Sequence, residues 1–129
     1  MTSARFLTKL QVEDVDGERW VLLSPLVFMY EKWYYVAPAG FTTDLASIPR
    51  IVFWRTKSGP YNEAAVIHDA CYQGAIAAYP MKQLTRADAD ALFKVGMEVL
   101  GVGWWSRNVM YRAVRLFGVA RWHGNKETV

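Results

Sequence analysis

The chain has 129 residues, enough for one domain with its own core, and 53% hydrophobic with 21% charged residues excludes a disordered or fibrous chain. Lys+Arg 15 against Asp+Glu 12 leaves a formal charge of +3, too small to call for a nucleic-acid partner. The single cysteine, Cys71, excludes an intrachain disulfide and a thiol-rich zinc site, and two histidines, His68 and His123, exclude a multi-histidine metal cluster.

Residues 1–10, MTSARFLTKL, carry no long apolar core and no cleavage-type signature, so no signal peptide is expected. No run approaches the ~20 apolar residues of a membrane span. One cysteine and no signal suit a reducing cytoplasm or a particle assembled there.

The first 45 residues read as strands. Phe6, Thr8 and Leu10 alternate with their neighbours and Val12 extends the run. Asp16-Gly17 is hairpin chemistry, and Arg19–Leu23 is the return strand. Leu26–Tyr30 and Trp33–Val36 follow as strands around Glu31-Lys32, and Pro38 and Gly40 close the region. From about residue 60 the pattern is helical. Asn62–Ala78 reads as one Ala-rich helix that Gly74 only weakens and Tyr79-Pro80 ends. Thr85 is an N-cap with Asp88 completing a capping box, for a helix that runs to about Leu100 and stops at Gly101. A last helix spans Trp104–Phe117, with Gly118 as its stop, and the final residues form a frayed tail. The expected fold is a single α+β domain over residues 1–129: sheet-rich over 1–45, helical over 46–122, tail over 123–129. A small antiparallel sheet precedes three main helices and shares one core with them.

His68 and Asp69 fall in mid-helix, in AAVIHDACY, and helical spacing puts Tyr72 beside both. The following helix carries Asp88 and Asp90 in RADADALF, and a short connection packs the two helices face to face. His68 is then in reach of one of those aspartates. A carboxylate on one imidazole nitrogen fixes the tautomer and leaves the other nitrogen to take a proton from water. Asp69 is a candidate ligand for a hard cation that polarises an ester or phosphoryl oxygen. The alternatives are plain ones. A lone helical histidine between aliphatics is equally a hydrogen-bonded core residue, Asp69 equally an arginine partner, and Asp88 equally a cap. Cys71 reads as a small core hydrophobe rather than a nucleophile paired with His68.

At these residues the chain resembles two known groups. HDACY is similar to the His-Asp-x-x-Tyr active-site helix of phospholipase A2 enzymes. Ala89-Asp90-x-x-Phe93 is similar to the matching segment of the disulfide-free parvoviral capsid phospholipases. That resemblance covers roughly residues 60–95. It implies a phospholipase A2-like helix pair with His68 as general base, Asp90 as its orienting carboxylate, Tyr72 as a supporting hydroxyl and Asp69 as a calcium ligand. The Gly-rich calcium loop of those enzymes has only Lys57-Ser58-Gly59-Pro60 as a counterpart, with a single glycine. Asp44, in TTDLASIP, is a substitute ligand for calcium or another divalent cation, or an Asx-type turn residue before Ile48-Pro49. The helical HD phosphohydrolases also contain His-Asp, but they need further histidines upstream, and none precedes His68. More widely, FTTDLASIPR, the HD-x-x-Y helix, RADADALF and MYRAVRLFG resemble an uncharacterised phage and prophage family. That resemblance implies a phage origin and a place among virion or tail proteins.

Residues 104–122 interleave Trp104, Trp105, Tyr111, Phe117 and Trp122 with Arg107, Arg112, Arg115 and Arg121. The favoured expectation makes the aromatics core and the arginines a solvated face or salt-bridge partners. The functional alternatives are an anionic membrane surface, a nucleic-acid backbone or an acidic protein partner such as another virion protein. Two functional readings stand. One is a phage-encoded, phospholipase A2-like small hydrolase in which a His–Asp dyad activates water. The other is a non-enzymatic tail or virion structural protein that retains the fold. An exposed His68–Asp90 pair in an open pocket favours the first, and a buried pair without substrate access the second.

Overall fold

The computed structural model describes residues 3–43 and 62–123. Asp44 and the Lys57–Pro60 segment lie outside the described residues, as does the tail from residue 124.

Seven strands and three helices follow in chain order among the described residues. They are β1 (Ala4–Phe6), β2 (Val12–Asp14), β3 (Trp20–Leu22), β4 (Leu26–Tyr30), β5 (Trp33–Ala37), β6 (Thr42–Thr43), α1 (Asn62–Tyr72), β7 (Ala77–Tyr79), α2 (Arg86–Val99) and α3 (Trp104–Phe117), with a 3-10 turn over Gly118–Arg121. The architecture is α+β, but the strands form two antiparallel sheets rather than one: β1-β4-β5-β7 and β2-β3-β6. No helix among the described residues is long and apolar enough to cross a membrane.

Two departures from the sequence pattern have local causes. The run from Phe6 to Val12 is not one strand. β1 pairs with β4 through Phe6↔Phe28, while β2 pairs with β3 through Val12↔Leu22, so the chain changes sheets between them. Leu7 and Val12 are exposed, and alternation there marks no single buried face. The helix expected to reach Ala78 ends at Tyr72. Gly74 stands at φ 70, the Gly74 amide donates to the Cys71 carbonyl at 3.1 Å, and the Ala75 amide donates to the Ala70 carbonyl at 2.8 Å. That pair of bonds around a left-handed glycine is a Schellman stop. It releases Ala77–Tyr79 to pair with β5, Ala78 opposite Tyr35.

Other elements fall where the residues place them. The β2–β3 hairpin turns at Gly17, φ 83, with the Asp14 and Asp16 carboxylates accepting the loop amides of Gly17, Glu18 and Arg19. β4 and β5 meet in full register from Leu26↔Ala37 to Tyr30↔Trp33. Thr85 caps α2 in a complete capping box with Asp88.

α1 is the central element. Every residue from Ala64 to Tyr72 is buried. Its small side chains let both neighbours approach: Ile67, Ala70, Cys71 and Tyr72 join the core formed by Leu22, Leu26, Phe28 and Tyr35, while Ala64 and Ala65 join Phe93, Met97, Met110 and Val114 of the other two helices. Gly96 of α2 lies so close to Ala64 that a Cβ there would stand 2.9 Å from the Ala64 Cβ. A helix enclosed all round has no polar face, so His68 and Asp69 are carried into the interior.

Candidate functional site

The site sits where α1, α2 and α3 meet. The spacing of His68 and Tyr72 on α1 points both toward α2, where Asp90 faces them. One carboxylate oxygen of Asp90, Oδ1, stands 2.7 Å from His68 Nε2 and accepts the Tyr72 hydroxyl at 2.7 Å. Its other oxygen, Oδ2, accepts Arg115 Nη1 at 2.8 Å and a longer 3.5 Å contact from Arg86 Nη1. His68, Tyr72 and Asp90 are fully buried at 0% exposure, and Arg86 is nearly so.

Charge fixes the roles. Burial alone would raise the Asp90 carboxyl, but hydrogen bonds from His68, Tyr72 and Arg115 and the imidazole charge outweigh it and hold it below its ordinary value of 3.8. Asp90 is therefore an anion that only accepts, so His68 Nε2 donates. In the neutral imidazole the basic lone pair then lies on Nδ1. Tyr72 is pushed well above the ordinary phenol range by burial and by its bond to Asp90, and stays a donor. The imidazole is held between rings, 4.3 Å from the Tyr72 centroid and 4.7 Å from that of Phe93. Trp122 stands edge-on to Tyr72 at 5.3 Å.

Gly118 supports the same phenol from behind. A Cβ there would lie 2.5 Å from the Tyr72 oxygen, so only glycine lets the 3-10 turn approach. Arg86 ties the third helix in: it donates to the Val114 carbonyl at 3.1 Å, to the Arg115 carbonyl at 3.1 Å and to the Tyr72 oxygen at 3.2 Å. A guanidinium on the last carbonyls of α3 meets the negative end of that helix.

Asp69 belongs to a different environment. It turns away from α2 toward the small sheet and accepts the Thr43 hydroxyl at 2.5 Å and the Gln73 amide at 3.1 and 3.2 Å. Among the described arginines, Arg86 and Arg115 are at Asp90. Among the described residues no group of three or more His, Cys, Asp or Glu side chains is placed to hold a metal ion. Among the described residues the Thr43 hydroxyl oxygen lies beside the Asp69 carboxylate, and a calcium shell takes several oxygens more. Cys71 is buried, and burial pushes its thiol far above the usual range, so it is a core thiol and no nucleophile.

The aromatic C-terminal stretch divides. Trp122 is core, but Trp104, Trp105 and Phe117 are exposed, contrary to the expectation that these aromatics fill the core. Trp104 and Trp105 lie off the stripe of Met110, Ala113 and Val114 that faces α1 and α2, whereas Phe117 continues that stripe at the helix end and is exposed there.

Four contributors were not singled out by sequence. Arg86 is four residues before Asp90, and Gln73 four after Asp69, so helical spacing carried a signal for both. Arg115 was visible only as part of a basic stripe. Thr43 reaches Asp69 across 26 residues, and nothing local announces it.

No curated protein matches the chain, and no solved structure matches it. A family model described as "Protein of unknown function (DUF1353)" matches residues 20–114, the span that holds Thr43, His68, Asp69, Tyr72, Arg86 and Asp90, and the chain belongs to that family.

Proposed function

We propose that the chain is a small hydrolase of phospholipase A2-like type, in which His68 takes a proton from water at Nδ1 while Asp90 holds Nε2. Tyr72 fixes the carboxylate that holds the imidazole. The observation that carries this reading is the sharing of one Asp90 oxygen by His68 and Tyr72 at 2.7 Å each. Two guanidiniums already meet the charge of Asp90. An interhelical ion pair needs no imidazole as well, whereas a general base needs this orienter.

A second reading is the one that burial of the His68–Asp90 pair favours. His68 and Asp90 are both at 0% exposure, and Arg86 and Arg115 join all three helices through Asp90. Substrate reaches such an imidazole only after the structure opens. On this reading the cluster is a staple, and the chain is a non-enzymatic virion or tail assembly protein. The phage setting in both readings comes from the sequence resemblance.

The test is a screen of carboxylic esters and phospholipid vesicles, with and without calcium, comparing the wild type with His68→Ala and with Asp90→Asn. Turnover that falls ~100-fold or more in His68→Ala supports the hydrolase. Equal rates for wild type and variant at background level sink it and leave the assembly reading.

A further inference from the structure

α3 carries a group of large apolar side chains open to solvent. Trp104, Trp105, Leu116 and Phe117 are 65–73% exposed, and Val119 in the following turn is half exposed. Trp105, Arg112 and Leu116 are spaced by seven and four residues, which places them along one line of the helix. No Asp or Glu occurs between Glu98 and Glu127. Arg112 and Arg121 are exposed, and neither forms an ion pair among the described residues. Arg115 is engaged at Asp90 and Arg107 at the Val102 carbonyl, so those two belong to the fold.

We propose that this face of α3, with the turn over Gly118–Arg121, docks on an anionic lipid surface. Charge complementarity selects an anionic occupant, since every ionised side chain on the face is cationic. Guanidiniums bind phosphate diesters with two parallel hydrogen bonds. The large apolar side chains project from the helix instead of lining a groove. A protein partner needs a matched socket for each of them. A bilayer interface takes indole, phenyl and branched aliphatic groups without matched sockets, provided that they lie on the membrane side of a helix in its plane.

The experiment is co-sedimentation of the full chain with vesicles of phosphatidylcholine alone and of phosphatidylcholine mixed with phosphatidylglycerol. Its readout is binding rather than turnover, so its result stands apart from the hydrolase test. The wild type binds the mixed vesicles, binds the neutral ones weakly, and loses affinity as salt rises. Arg112→Ala and Arg121→Ala each weaken binding about fivefold, the fold-change for one basic residue near a charged membrane. Trp105→Ser with Leu116→Ser abolishes it, and Tyr79→Ser, on the exposed edge of the larger sheet, leaves it unchanged. No binding to the mixed vesicles overturns the proposal. So does binding that survives the paired substitution or is lost equally in Tyr79→Ser. A wild-type dimer in size exclusion that Trp105→Ser converts to monomer, without vesicle binding, also overturns it and makes the face a contact between copies of the chain.

Discussion

His68 and Asp90 are 22 residues apart in the chain, and the helix pair closes them to 2.7 Å between Nε2 and Oδ1. The contact is inside the protein, and the same carboxylate meets two guanidiniums, one of them buried with it. Removing the charge of Asp90 therefore strands more than a histidine.

Asp90→Asn is expected to destabilise the fold by about 3–5 kcal/mol, the usual result of leaving buried charge without its partner. Arg115→Ala is expected to cost much less, because its side chain is 31% exposed and solvent can take over its role. Urea denaturation of the two variants measures both. A loss below about 1 kcal/mol for Asp90→Asn means that the cluster contributes no net stability.

The same carboxylate sets the acid limb of stability. Folded Asp90 titrates below its ordinary value, so on acidification the unfolded chain takes up its proton first. The stabilisation is complete above about pH 4, where the unfolded side chain is ionised, and is lost as pH falls through the lower folded value. Wild-type stability should drop on this limb, and Asp90→Asn should show a shallower drop. On the alkaline limb, burial and then the charge of Asp88 push Tyr35 up to about 12. That contribution is complete below about pH 10 and is lost as pH rises toward 12. Denaturation midpoints across the pH range test both signs.

Sequence made some of this legible and hid the rest for identifiable reasons. The caps of α2 and the ends of α3 are local chemistry, and Thr85, Asp88, Gly101 and Gly118 announced them. The facing of His68 and Asp90 follows from two helices and a short connection. Helical spacing runs past the end of α1 because the pattern after Gly74 stays rich in alanine, which suits a helix interior and does not mark the half-buried edge strand β7. The left-handed turn at Gly74 overrides it. The second sheet was hidden because the chain crosses between sheets inside one alternating run. Thr43 was hidden because its partner Asp69 is set by tertiary packing alone.

Gly118→Ala should disturb the site without touching any charged group. Its Cβ would fall 2.5 Å from the Tyr72 oxygen and 3.0 Å from Cε2, so the phenol must move off Asp90. Overpacking of this kind costs about 1–3 kcal/mol. Gly103→Ala, with nothing within 4 Å of its Cβ, is the control for packing and should cost only the difference between two N-cap residues of α3, up to about 1 kcal/mol, in either background. In a Tyr72→Phe background the tightest contact is gone, and the cost of Gly118→Ala should shrink. A double-mutant cycle by thermal or urea unfolding reads the coupling. Equal costs in both backgrounds would place the strain somewhere other than at the phenol.

Thr43→Val isolates the second carboxylate. Valine keeps the shape of threonine and removes the hydroxyl that Asp69 accepts at 2.5 Å. Asp69 is 2% exposed and keeps the Gln73 amide, so the expected loss is about 1–3 kcal/mol, the cost of withdrawing one partner from a buried acceptor. The loss should also be local. β6 is two residues long, and Thr43 is the residue by which it both pairs with Trp20 and reaches α1. Releasing the hydroxyl removes a polar tie between the smaller sheet and the helix and leaves the packing of Leu22 to hold them. Amide exchange should therefore speed up in β3 and β6 while the β4–β5 pairing keeps its protection. Uniform acceleration across both sheets would mean that the two unfold as one unit, and that Thr43 acts on global stability instead of tethering the smaller sheet.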